Sequence, residues 1–449
     1  MADIKNNSER RRREHATRAA TKIAYMVKNS IIDTLQAKEK GKTLAYTFVY
    51  CCYDEIIRAM DIIPIWTENY AGVCGAKRDA ERFLSRAESL GFSRSLCSYA
   101  LCGIGFDQWR EELGAMPPDA PWGGQVKPDL MLSSGQLICE PRYKWYQAVQ
   151  QYMPDVPIYI VDLPWPVYED DVDVYSVEAY YIEYIKEELH GLVKFLEKRT
   201  GRKINWDKLS ELVDLNERTW NLIWETYELR RAIPTPMDTG DAMNTMVPIL
   251  YMMGTQEAHN FFLDLNRELK EKIKRKDGVV SNEKFRLLWG GGLPPWFALD
   301  VFNYFNSRGA VFPAEVTYRV IEPINKLNIP DTNDPIERIA WRWLRYWTYW
   351  YDKAKKRPGS EPDVERLIQY VEDYQIDGIV VHVASSCRTA HLGLTWQLNQ
   401  LRKIYKQIPS LILESDMIDI KQYSELHTKN MIDTFVSILE SIKEKRKNC

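Results

Sequence analysis

Apolar residues form short unbroken runs in two stretches of the chain and a helical repeat in the stretch between them. The run from Thr43 to Tyr50, after Gly41, is too short for a helix and rich in β-formers, so it reads as a buried strand. The segments 62–66, 128–133 and 157–162 read the same way. Helical patterns lie around them: Ser8 to about Gln36 with Ala19, Ile23 and Met26 at helical spacing, then 55–60, Ala76–Leu90 closed by Gly91, and about 141–152. Strands alternating with helices over short connections predict a parallel, doubly wound sheet.

From Tyr175 to about Arg275 the pattern is almost wholly helical. Leu209, Leu212, Val213, Trp220, Ile223 and Tyr227 share one face, and Pro234 and Pro236 break the run. The strand pattern returns at Phe285–Trp289. A helix from Trp296 to Asn306, a short strand at Ala310–Phe312, a Trp-rich helix from Pro335 and a strong strand at 377–383 follow. A helix over about Leu392–Tyr405, a strand at 410–413 and a long polar helix to Lys447 close the chain. The expected organisation is an N-terminal helical segment (1–42), a first α/β lobe (43–170), a helical insert (171–280), and a second α/β lobe with a C-terminal helix (281–449).

Composition narrows the class. The 449 residues are 45% hydrophobic and 27% charged, enough for a large core and more than one domain. A net charge of -3 gives no argument for nucleic acid, and Arg10 to Arg13 read as the solvated start of a helix. No apolar stretch reaches the ~18 residues of a membrane span. The N-terminus has no apolar signal core, so a cytoplasmic setting is expected, where the eight cysteines stay reduced. Gly290 to Gly292 lack the GxGxxG spacing and run into Pro294 and Pro295, so they read as a turn for close backbone packing. There is no P-loop motif.

In open parallel sheets chemistry gathers at the carboxyl ends of strands. Cys387 follows the strand 377–383, and Cys139 follows the strand 128–133. Cys97 lies in a Ser-rich turn between helices. Three such thiols from distant segments would converge between two α/β halves, at loops or helix starts where backbone N–H groups favour thiolate. Cys51 and Cys52, also after a strand, are rivals. Cys74 and Cys102 fit packing positions, and Cys449 is terminal. No CxxC pair signals zinc or a ferredoxin site, so pattern alone leaves scattered structural thiols open.

At these positions the chain resembles the 2-hydroxyacyl-CoA dehydratase family, which includes the ATP-dependent benzoyl-CoA reductases. Three segments carry the likeness: Arg78–Ala100 around Cys97, Pro128 to Trp145 around Cys139, and Asp377–Arg388 ending on Cys387. The close from Ile408 to Asp416 followed by a long helix adds to it. Cys139 is followed by Glu140 and Pro141 where the dehydratases tend to show Asp-Gly. With Lys144 and Trp145, that context looks closer to the larger core subunit of a benzoyl-CoA reductase.

The resemblance implies two flavodoxin-like lobes with a [4Fe–4S] cluster at their interface, held by Cys97, Cys139 and Cys387. It implies a heterodimer with a related second subunit, and an ATP-hydrolysing iron–sulfur activator that delivers single electrons. The implied reaction is one-electron reduction of an aryl- or acyl-CoA thioester to a ketyl-type radical. A benzoyl group would then go on to a cyclic diene, and a 2-hydroxyacyl group would expel hydroxide. An electron-relay subunit without chemistry of its own is a further alternative. His391 is the candidate proton donor, whereas His382, inside a strand, reads as a satisfied core residue. Arg388 reads equally as an orienting group or a structural ion pair. The aromatic residues of the 341–351 helix read as core or subunit interface before pocket wall.

Overall fold

The structure, a computed structural model, describes residues 17–49, 51–134, 139–164, 174–317, 322–357 and 361–447. Arg10 to Arg13 and Cys449 lie outside the described residues. The first run of strands forms one sheet: β1 (Leu44–Thr47), β2 (Ile63–Trp66), β3 (Leu130–Ser134) and β4 (Ile158–Val161). They pair in parallel in the order β2-β1-β3-β4. The second sheet holds β5 (Phe285–Trp289), β6 (Ala310–Glu315), β7 (Gly378–Ala384) and β8 (Ser410–Ser415), in the order β6-β5-β7-β8, again all parallel. Both sheets place their strands second-first-third-fourth, so the chain has two flavodoxin-like lobes. The central strands are buried on both faces, which is why they are continuous apolar runs. The edge strand β8 alternates between buried and exposed positions.

The helices of the first lobe are α1 (Ile23–Glu39), α2 (Asp54–Ala59), α3 (Thr67–Ala76), α4 (Ala80–Ser89), α5 (Ser98–Leu113) and α6 (Glu140–Val149). Four helices then separate the two sheets in the chain: α7 (Val174–Thr200), α8 (Trp206–Leu229), α9 (Thr239–Leu250) and α10 (Gln256–Arg275). Asn205 and Thr255 cap α8 and α10 by accepting from the N–H three residues on. The second lobe adds α11 (Val301–Ser307), α12 (Pro335–Ala354), α13 (Pro362–Tyr374), α14 (Leu394–Ile404) and α15 (Glu425–Lys447). Among the described residues, no helix is long and apolar enough to cross a membrane.

Three elements differ from the sequence reading for physical reasons. The helix expected over Ala76–Leu90 is α4, which begins only at Ala80 because Arg78 takes a φ of 58°, and Ala76 instead ends α3, a helix the sequence reading did not include. The strand ending at Phe312 continues to Glu315. Pro313 is tolerated because β6 is an edge strand, with a register irregularity against β5 between Arg286 and Leu288. The helix expected over Trp296–Asn306 is a 3-10 turn at Trp296–Ala298 followed by α11.

The triple glycine is a close-packing turn, as its sequence suggests. A Cβ on Gly292, whose φ is 77°, would lie 2.0 Å from the His382 carbonyl oxygen, and one on Gly290 would lie 2.5 Å from Ile379. This turn lets the chain leave β5 hard against the end of β7, where Cys387 follows.

Candidate functional site

Cys97 is the residue before α5 and Cys139 the residue before α6, each in a non-helical N-cap conformation. Cys387 sits in the turn after β7, its own N–H donating to the Ala384 carbonyl at 2.9 Å. The backbone N–H groups of Ala100, Arg142 and Ala390 ease ionisation of Cys97, Cys139 and Cys387 in that order. Each is the residue three positions after its thiol, so all three thiols meet a backbone N–H at the same offset, two at helix starts and one in a turn. All three residues are partly exposed, whereas Cys51, Cys52, Cys74 and Cys102 are buried.

The structure brings the three thiols within electrostatic reach of one another. Burial pushes each of them up, Cys139 to about 11. The charges of Cys139 and Cys387 raise Cys97 further, and Cys387 raises Cys139. A positive group placed beside such thiols would favour their thiolate forms.

Cys139 and Cys387 open onto a cavity of about 940 Å³. Its wall is drawn from beyond the carboxyl ends of both sheets: Val49 after β1, Glu68 after β2, Cys139 after β3, Leu293 and Trp296 after β5, Cys387 after β7. Trp122, Met243, Met246, Val247 and Tyr251 complete an apolar lining. Tyr99 and Trp296 meet across the lobes by an indole N–H to phenol oxygen contact. The charged feature of the wall is an ion pair. Arg142 donates to Glu68 through Nε at 2.9 Å and Nη2 at 2.5 Å, and through Nη1 to the Val49 carbonyl at 2.6 Å. Its guanidinium is the main charge opposing the rise of the Cys139 pKa.

Beside two of the thiols the lobes are pinned together. The Ser98 N–H donates to Ser386 Oγ at 3.2 Å, and Ser386 Oγ donates to Asp416 Oδ2. Asp416 is fully buried, and its Oδ1 accepts from the N–H groups of Ile418 and Asp419, both at 2.9 Å. Farther out, Arg388 and Glu140 form an exposed inter-lobe pair at 3.4 Å. His382 is a satisfied core residue, its ring between the Leu293 carbonyl and Ser415 Oγ. Burial lowers it to about 4. The ring of His391 is engaged with the turn itself. Its Nε2 lies 3.2 Å from the Ala384 N–H and 3.1 Å from the His382 carbonyl, and the Cys387 carbonyl also faces the ring.

Residues 50–439 match the family model described as 2-hydroxyglutaryl-CoA dehydratase, D-component. The chain belongs to this family. It is 25% identical over 417 residues to one of the benzoyl-CoA reductase subunits of Thauera aromatica, covering 90% of each chain. It is 23% identical over 420 residues to the (R)-phenyllactyl-CoA dehydratase alpha subunit of Clostridium sporogenes, covering 91% of this chain and 93% of that one. It is also 23% identical over 432 residues to the lactoyl-CoA dehydratase alpha subunit of Anaerotignum propionicum, covering 93% and 96%.

Among the described residues, no three His, Cys, Asp or Glu side chains lie close enough to share one metal ion. The donors that Cys97, Cys139 and Cys387 offer are soft sulfurs, each at the start of a helix or in a turn, and of the type that thiolate-bound iron–sulfur groups take.

The rival thiols Cys51 and Cys52 line a separate cavity of about 90 Å³ with Asp54, Glu55, Asn216 and Arg342. Trp343 and Tyr346 of the aromatic helix reach that cavity, and Trp350 packs on Tyr370. Cys74 and Cys102 are buried side by side. The sequence reading missed Glu68, Arg142 and the Ser98–Ser386–Asp416 chain. Glu68 follows β2, so the strand-end rule applied to carboxylates as well as thiols would have marked it. Arg142 stands three residues after Cys139. The serine–serine contact spans 288 residues and has no local signal.

Proposed function

We propose that this chain is the iron–sulfur core subunit of a low-potential CoA-thioester enzyme, with Cys97, Cys139 and Cys387 holding a [4Fe–4S] cluster. The observation that carries the reading is the mutual influence of three thiols from distant segments, two of which line one large apolar cavity. When bound, the cluster would supply single electrons and a Lewis-acidic iron close to the thioester carbonyl.

The protein's own residues have separable tasks. Val247, Leu293, Trp122 and Trp296 present an apolar wall that excludes water from an acyl group, which strengthens every electrostatic contact inside. Glu68 and Arg142 compensate each other's charge, so the cavity rim stays neutral while Arg142 favours the Cys139 thiolate. Tyr99 and Trp296 close the wall between the lobes. The aromatic lining favours an aryl-acyl group, and the preferred reaction is reduction of a benzoyl thioester ring to a cyclic diene. A second reading, loss of water from a 2-hydroxyacyl thioester, is favoured by the family description and by the phenyllactyl-CoA and lactoyl-CoA relatives. In both, the chain works with a related second subunit and receives electrons from an ATP-hydrolysing iron–sulfur activator.

The test is anaerobic iron and sulfide analysis with electron paramagnetic resonance on the chain co-purified with its partner, followed by turnover with benzoyl-CoA and with (R)-phenyllactyl-CoA. About four irons per chain and diene formation are expected. Cinnamoyl-CoA alone would select the dehydratase reading. A cluster whose spectrum no thioester alters would leave an electron-relay subunit.

A further inference from the structure

We propose that Ser386 is a positioning residue that fixes the spacing between Cys97 and Cys387 across the two lobes before any metal group binds. The inference rests on the cluster reading above and concerns residues that touch neither substrate nor metal. Ser98 is the neighbour of Cys97, and Ser386 is the neighbour of Cys387. The hydrogen bond from the Ser98 N–H to Ser386 Oγ therefore joins the two ligand segments at positions adjacent to the sulfurs.

Four features mark this contact as a fixed support and not an incidental one. Ser98 and Ser386 are buried, at 3% and 6% exposure. Ser386 Oγ accepts from the Ser98 N–H and donates to Asp416 Oδ2, with the Ser98 hydroxyl oxygen a further acceptor at 3.2 Å. Asp416 is held in turn by two backbone N–H groups of the segment after β8. The Ser98 N–H is also the first orphan donor of α5, so the same bond caps the helix that presents Cys97. A support one bond away from two of three ligands acts on metal retention as an outer-shell partner does, where loss typically costs 10–100-fold in affinity.

Two substitutions remove the contact from opposite sides. Ser386→Ala removes the acceptor. Ser98→Pro removes the N–H donor at the first helical position, where proline is well tolerated, and Cys97 already has the extended ψ of 118° that a residue before proline prefers. Ser386→Thr keeps the hydroxyl. Anaerobically prepared complexes carrying each change would be mixed with bathophenanthroline and the rate of iron release followed, with thermal midpoints and electron paramagnetic resonance spectra measured in parallel.

S386A and S98P are expected to release iron at least ~tenfold faster than wild type with unchanged helicity, while S386T behaves as wild type. Should S386A fail to fold, S98P alone carries the test. Wild-type release rates in S98P, or release that merely tracks the unfolded fraction, would overturn the positioning role and leave the cluster reading intact. A wild-type complex without iron would overturn the cluster reading, and this proposal with it.

Discussion

The two lobes share strand number, direction and spatial order, yet they present their thiols differently. The first lobe offers Cys97 and Cys139 at the starts of α5 and α6, so helix geometry fixes the sulfurs and the helix N-terminus favours their negative charge. The second lobe offers Cys387 from a turn, and α14 does not begin until Leu394. What a helix does for the first two, side chains must do for the third: His391 braces the turn from inside and Ser386 ties it to the other lobe. One fold thus holds thiols in two ways: the turn depends on His391, which the helix starts do not need, and shares Ser386 with the start of α5.

The sharpest break of this comparison is removal of the sulfurs themselves. Cys97→Ser, Cys139→Ser and Cys387→Ser are each expected to reduce bound iron from about four per chain to a small residue and to abolish turnover, with little change in fold. Cys102→Ser should leave iron and activity near wild type, because its thiol is packed against Cys74 away from the cavity. Retention of iron in C387S with loss in the other two would mean that the second lobe supplies no ligand, and the comparison would fail.

Charge at the cavity rim comes next in size. Arg142 is 4% exposed and its ion-pair partner Glu68 15% exposed, both belonging to the first lobe. Glu68→Gln leaves the guanidinium without a counter-charge, and breaking a buried pair from one side costs about 3–5 kcal/mol. Urea denaturation should show that loss, accompanied by weaker protection of α3 and α6. Among its described residues the second lobe puts no such ion pair on the cavity wall, so its elements should unfold at unchanged denaturant concentration.

How far the sequence reaches follows the same division. The strands were legible because central parallel strands are buried on both faces and so carry unbroken apolar runs, as at Phe285–Trp289. The strand-end positions of Cys139 and Cys387 were legible because each follows such a run. The late start of α4 at Ala80 was not, since it depends on one left-handed residue, Arg78, beside an otherwise continuous helical pattern. The extension of β6 through Pro313 was hidden because only its edge position makes proline acceptable. The partners of the thiols were least legible of all. Glu68 with Arg142, and Ser98 with Ser386, are contacts between segments far apart in the chain, and periodicity carries no information about them.

The second lobe should also set the acid limit of the chain. His382 has a folded pKa of about 4 against ~6.5 unfolded, with burial the main cause. The unfolded chain therefore binds this proton more readily than the folded one. The stability of neutral His382 is fully present above pH ~6.5 and is lost as pH falls toward 4, a swing of about 3 kcal/mol. Denaturation followed between pH 7 and 4 should show that slope, and His382→Gln should flatten it. An unchanged slope in the variant would assign the acid sensitivity to other groups.

The smallest effect is the most direct test of the difference between helix and turn. His391→Phe fills similar space but removes the ring nitrogens that meet the Ala384 N–H and the Cys387 carbonyl. A loss of about 1–2 kcal/mol is expected, the scale of one or two buried hydrogen bonds. Its location matters more than its size. Amide hydrogen exchange should quicken at Ala384, Cys387 and Ala390, while the amides of Ala100 and Arg142, held in the first turns of α5 and α6, keep their wild-type rates. Quickening at all five would mean that the three thiols belong to one cooperative unit and that the turn is no weaker than the helix starts. Quickening confined to the turn would show that the second lobe holds its cysteine by side-chain bracing, and that His391 contributes position where the sequence suggested a proton.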